Sequence, residues 1–282
     1  LTLFISAERA MPILERQGAR IFYEKYEPEG QGPPILLGHS LLADSRMWEA
    51  VAPELAKSHR VININVRGHG GSTAPYPFSL EDLADDWIAI LDREGIERAV
   101  LCGLSMGAMT ALRVALAAPA RVRGLILLDT SADPEAPQKR PQYAAMIEIV
   151  RRFGHIDLIY QIVKRLMFSK KTLSERPWLA QREIDRMKER DAHQVYHAVH
   201  AVIDRGDLLE RAREIKIPAL VLVGADDAAT PPIYSERLAA ALPDARFHVI
   251  PGAGHLSALE APAEVIREIS EFLSLLEKNA PL

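Results

Sequence analysis

The sequence predicts an α/β fold: a mostly parallel central sheet flanked by helices and carrying one helical insertion. Three observations point to it. In the first half, short β-branched or leucine-rich runs alternate with longer segments of helical period, the pattern of parallel strands joined by crossover helices. From Asp133 to about Ile215 the alternation stops, leaving only helix-like pattern punctuated by Pro134, Pro137, Pro141, Gly154 and Pro177. Strand pattern then resumes near the C-terminus, so the sheet brackets the insertion.

In chain order, residues 1–10 read as a non-native or poorly ordered leader before Met11: apolar at first, with no basic segment ahead of it, and followed at once by Glu8 and Arg9. Strands are expected at 20–26, 35–37, 61–66, 99–102 and 125–128, with helices at 47–57, 80–93 and 106–117 between them. Ser79, with Asp82 three residues on, caps the second of these helices. After the insertion come strands at 219–223 and 246–250 and helices at 234–241 and 263–276. The expected domains are therefore a core of residues 11–132 and 216–282 and a helical cap of residues 133–215.

Composition narrows the function. A chain of 282 residues with 48% hydrophobic residues can bury a substantial core, which favours one domain with an insertion over two independent domains. A net charge of -4 and the absence of a long basic stripe argue against nucleic acid as a partner. A single cysteine, Cys102, excludes an intrachain disulfide and fits the cytoplasm; its place on an expected central strand gives it a packing role. No run approaches the roughly 18 apolar residues of a membrane span.

The chemistry begins at Gly103-Leu104-Ser105-Met106-Gly107. This has the G-x-S-x-G form in which a sharp strand-to-helix turn projects a serine hydroxyl above a sheet. An expected buried strand feeds into it and a helix pattern leaves it, the setting that the motif requires. A serine hydroxyl needs a base to take its proton. Of nine histidines, His255 is preferred: the Gly252-Ala253-Gly254-His255 loop follows the last strand, at the carboxyl edge of the sheet where open parallel sheets build their sites. The acid that orients it belongs on a loop after an earlier strand, where Asp226 and Asp227 are adjacent candidates; Asp129, after the 125–128 strand, is a further one only by resemblance to relatives of this fold, and a hydrogen-bonding role in its loop is the better expectation for it. For the oxyanion, the backbone amides of Met106, next to the nucleophile, and Leu41, in Gly38-His39-Ser40-Leu41, are the expected donors. His39 itself reads as structural.

Together these segments resemble the α/β-hydrolase superfamily, from about Ile13 to Leu276. Leu36-Leu37-Gly38-His39-Ser40 with Trp48 beyond it is similar to the family's His-Gly oxyanion segment, with serine in place of glycine at position 40. Asn65-Val66-Arg67-Gly68-His69-Gly70-Gly71-Ser72 resembles the family's structural Asp-x-Arg-Gly-x-Gly-x-Ser loop, with Asn65 for aspartate. The spacing of Gly224, Asp227 and Thr230-Pro231 matches the family's acid loop, and on that resemblance Asp227 is chosen. The segment from Gly254 to Pro262 is similar to the histidine segment of esterases and 3-oxoadipate enol-lactonases. The resemblance implies a Ser105-His255-Asp227 triad acting on a small carboxylic ester or lactone through an acyl-enzyme, with no metal or organic cofactor.

Other readings compete. Arg151, Arg152, Lys164 or Arg165 could hold a substrate carboxylate in the cap. His193-Gln194-Val195-Tyr196-His197 has the histidine spacing of a zinc protease, but Gln194 replaces the general-base glutamate; a pocket wall or plain helix surface is the better expectation for His193, His197 and His200. A carbon-carbon bond hydrolase would use a similar triad, although the glycine-rich oxyanion segment of the ring-cleavage branch is missing. A non-enzymatic receptor on the same scaffold is the third class.

Overall fold

The structure is a computed structural model that describes residues 9–28 and 30–278. Its sheet contains β1 (Arg9–Ala10), β2 (Ile13–Arg16), β3 (Ala19–Tyr26), β4 (Gly32–Gly38), β5 (His59–Ile64), β6 (Ala99–Leu104), β7 (Val122–Leu128), β8 (Ala219–Gly224) and β9 (Ala245–Ile250). They lie in the order β1-β3-β5-β4-β6-β7-β8-β9, with β2 also paired to β3. From β5 to β9 every pairing is parallel, while β3 runs antiparallel to β1, β2 and β5.

The N-terminal edge departs from the sequence reading. Arg9–Ala10, assigned to the leader, pair with Tyr26 and Lys25 of β3; residues 1–8 lie outside the described residues. β2, unexpected from the sequence, is joined to β3 through Gln17 and Gly18, both at positive φ (48° and 74°). Two successive positive-φ residues make the turn type whose twist suits a two-residue hairpin.

The central strands show why the sheet is buried on both faces. Leu36, Leu101, Leu125, Leu127 and Val221 point into one core, whereas Ile35, Leu37, Val100, Cys102, Ile126, Leu128 and Leu222 point into the other, as the two-residue period of a strand dictates. α2 (Leu80–Arg93), α3 (Met106–Ala117) and α10 (Pro232–Ala241) contribute to the first core; α1 (Ala52–Leu55) and α12 (Pro262–Lys278) contribute to the second. The single helix expected at 47–57 is instead a 3-10 turn, Ser45–Trp48, followed by α1. Pro53 sits in the first turn of α1, where its missing N–H costs least.

Between β7 and β8 the chain is entirely helical where regular: α4 (Lys139–Phe153), α5 (Asp157–Met167), α6 (Lys170–Glu175), α7 (Pro177–Lys188), α8 (Ala192–Ile203) and α9 (Leu209–Ala212). The remaining helix is α11 (Ser257–Glu260). No described helix is long and apolar enough to cross a membrane. Cys102 is fully buried on β6, and burial pushes its thiol up, away from the reactive thiolate.

Ser79 caps α2 through a reciprocal box: its side chain accepts from the Asp82 amide at 3.1 Å, and Asp82 accepts from the Ser79 amide at 2.8 Å. Ser79→Ala is expected to lower stability by about 1 kcal/mol, read as a lower urea midpoint at unchanged slope.

Candidate active site

The site is built where β6 ends. Ser105 stands between β6 and α3 at φ 53° and ψ -111°, a left-handed conformation that a non-glycine residue adopts only when its surroundings enforce it. The glycines of the pentapeptide permit this turn. A Cβ on Gly103 would lie 2.2 Å from the Gly107 carbonyl carbon, and one on Gly107 would lie 2.3 Å from the Gly38 carbonyl oxygen. The turn is pinned from both sides: the Ser105 amide donates to Leu128 O at 2.8 Å and the Gly107 amide to His39 O at 3.1 Å.

His255 reaches the same edge from the loop after β9. It is 2% exposed, and its Nδ1 is 2.9 Å from Asp227 Oδ2. Asp227 is held from behind, since its Oδ1 accepts from the Ala229 and Thr230 amides, both at 2.9 Å. The Thr230 hydroxyl lies 2.9 Å from Asp227 Oδ2. The neighbouring Asp226 is exposed, and its backbone amide donates to Ala253 O. This pair therefore separates cleanly: one carboxylate faces the imidazole and the other faces solvent.

Asp129, the third sequence candidate, does not bond His255. It is fully buried at φ 48°; its Oδ1 accepts from the Gly224 amide at 2.8 Å, and its Oδ2 accepts from Ser257 Oγ. Burial first, and then the nearby Asp227 charge, raise its carboxyl well above the usual carboxylate range. It thus ties the end of β8 to the start of α11.

Burial alone would push the His255 imidazole down, but Asp227 opposite it, with Asp129 and Glu260 nearby, carries it above the ordinary histidine value of 6.5. Its Nε2 lies 3.5 Å from the buried Ser40 hydroxyl. Ser105 Oγ makes no hydrogen bond among the described residues, yet Ser105, Ser40 and His255 line one cavity. Leu41 lines it too, and among the described residues neither the Leu41 nor the Met106 amide is taken by a backbone acceptor.

The loop carrying Leu41 is fastened by two buried histidines. His39 Nδ1 faces Ser40 O at 2.8 Å, while its Nε2 accepts from the Val66 amide at 3.1 Å. His69 Nε2 accepts from the Leu42 amide at 3.3 Å. Accepting at Nε2 requires the neutral ring, and burial lowers His39 to about 4 and His69 well below 6.5. The Asn65 to Ser72 segment is structural: Arg67 forks onto Asp86 at 2.7 and 2.8 Å, and Ser72 Oγ donates to Asn65 O at 2.6 Å.

Other sequence candidates fall away from the cavity. Arg151 and Arg152 pair with Glu148, Lys164 donates to Gln181, and Arg165 is exposed. His193, His197 and His200 lie on α8 outside the cavity wall, and Gln194 Oε1 accepts from the Ala74 amide. Among the described residues no cluster of three or more His, Cys, Asp or Glu could hold a metal. Two positions went unremarked as functional in the sequence: Ser40, visible only as a substitution for glycine, and Thr230, visible only as part of a Thr-Pro spacing.

Comparison with known proteins places this geometry in context. The α/β hydrolase fold family model matches residues 33–262. 3-Oxoadipate enol-lactonase 1 of Acinetobacter baylyi is 30% identical over 273 residues, spanning 97% of this chain and 100% of that protein. A thermophilic esterase from Thermogutta terrifontis superposes with a TM-score of 0.87 at 32% identity, covering 96% of this chain and 99% of that one. The enol-lactonase from Burkholderia xenovorans LB400 gives a TM-score of 0.86 at 29% identity, with 93% and 100% covered. The chain belongs to the α/β-hydrolase family and is similar over almost its whole length to esterases and enol-lactonases within it.

Proposed function

We propose that the protein is a serine hydrolase cleaving a small carboxylic ester or lactone, with Ser105 as nucleophile, His255 as general base and Asp227 orienting the histidine. The observation that carries this reading is the buried His255–Asp227 contact of 2.9 Å in the same pocket as a serine on a strained strand-to-helix turn. Asp227 accepts a hydrogen bond from Nδ1–H, which keeps the proton on that nitrogen and leaves Nε2 free to accept the Ser105 proton as Oγ attacks the carbonyl. The tetrahedral oxyanion is received by the Leu41 and Met106 amides. Collapse expels the alkoxide, which takes the proton from His255, and the acyl group stays on Ser105. Water, deprotonated by His255, then attacks the acyl-enzyme, and the Ser105 oxygen takes that proton from His255 as the acid leaves. No metal or organic cofactor enters these steps.

The names borne by the relatives, an esterase and enol-lactonases, support the ester or lactone class. The lone buried Cys102 is consistent with a cytoplasmic enzyme.

Ser105→Ala is expected to fold normally and lose at least about a thousandfold in kcat on a p-nitrophenyl ester. It should also lose fluorophosphonate labelling, as seen by intact mass. Undiminished turnover in a pure sample would overturn the assignment. Asp227→Asn should cripple turnover far more than Asp226→Asn, because only Asp227 meets the imidazole; the reverse ranking would reject the chosen acid.

The pH profile offers a separate check. The base must be the neutral imidazole, and His255 holds its proton to higher pH than an ordinary histidine. The rate kcat/KM should therefore rise with pH through a midpoint above 6.5. Asp227→Asn removes the main charge that favours the imidazolium, so the midpoint should fall in that variant.

A further inference from the structure

The cavity beside Ser105 also carries information about the substrate. Its walls come largely from the segment between β7 and β8, with Ile147 and Val150 from α4, Ile159 and Val163 from α5, and Val195 and Val199 from α8. These side chains are buried and apolar, and such a surface gains free energy only by covering apolar substrate.

The charged side chains on the wall besides the histidines are Glu135 and Arg190, and both are already matched. Arg190 Nη2 meets Asp44 Oδ2 at 2.6 Å, with the two side chains 6% and 3% exposed; Asp44 is shared with Arg46, which also meets Glu189, so two guanidiniums face two carboxylates. Glu135 meets Arg205 at 2.9 Å, with both side chains largely buried. His155 Nδ1 is occupied by the Tyr160 hydroxyl at 2.7 Å. The wall therefore presents no uncompensated positive charge to an incoming carboxylate, and Arg151, Arg152, Lys164 and Arg165 do not reach it. One buried donor, Arg190 Nε, has no hydrogen-bond partner among the described residues.

Resting on the proposed hydrolase reading, we infer that the enzyme selects neutral esters or lactones with an aliphatic acyl chain and rejects acyl chains that end in a carboxylate. An ion drawn into this cavity would lose its hydration without gaining a free counter-charge, whereas each methylene gains contact with the wall.

The test uses the wild-type protein and matched p-nitrophenyl esters. From acetate to butyrate to hexanoate, kcat/KM should rise by up to about fourfold per methylene. The mono-p-nitrophenyl ester of adipic acid has the same six-carbon chain as the hexanoate but ends in a carboxylate, and it should be slower by about a hundredfold or more. A flat response to chain length, or an adipate ester turned over as fast as the hexanoate, would overturn the inference; the latter would make Arg190 a carboxylate anchor. Failure to cleave any ester and to label Ser105 with a fluorophosphonate would defeat the hydrolase reading instead. The cavity is then read by binding: hexan-1-ol should raise the Tm and 6-hydroxyhexanoate at equal concentration should not, and equal shifts would sink the inference independently of turnover.

Discussion

The turn at Ser105 is the constraint on which the rest of the site depends. A serine held at positive φ costs of order 1–3 kcal/mol, and it persists because backbone packs against backbone around it. Gly103, Gly107 and Gly38 lie so close that a methyl group on any of them would collide with a neighbour, at Gly38 with the ring of Trp87. The same contact that fixes the serine also fixes the loop carrying Leu41, because the Gly107 amide donates to His39 O. Serine and loop are thus positioned by one packing arrangement, and neither can shift without the other.

Around this turn, polar groups are used as fasteners in their neutral or fully paired forms. His39 and His69 hold the Leu41 loop as acceptors, which a protonated ring could not do. Arg67 and Asp86 are buried but doubly bonded to one another, so the loop following β5 keeps its charges compensated. Asp129 performs a comparable task on the other side, linking the Gly224 amide to Ser257. The resulting frame leaves His255 Nε2 facing the cavity and its Nδ1 committed to Asp227.

Much of this was legible in the sequence because it rests on periodicity and on short local turns. The central strands announce themselves by apolar runs, and G-x-S-x-G by the glycines that its geometry demands. Asp227 over Asp226 was legible only through resemblance, since adjacent aspartates are indistinguishable until the loop assigns one inward and one outward. β2 was missed because Ile13–Arg16 carries little apolar alternation and its hairpin turn begins with Gln17, a poor advertisement for positive φ. The helix expected at 47–57 broke into two short turns because Pro53 restarts it. The pairing of Arg190 with Asp44, across 146 positions of sequence, follows from tertiary contact and leaves no local trace.

The proposed reacting groups and the walls of the cavity come from different stretches of chain. Ser105 precedes the helical segment, Asp227 and His255 follow it, and α4 to α8 supply most of the apolar lining from one uninterrupted run. Chemistry and selectivity are therefore written in separable paragraphs of the sequence. The strained serine and its glycines are held by Gly38, His39 and Leu128, none of them in that run, so the turn keeps its shape without leaning on the walls around it.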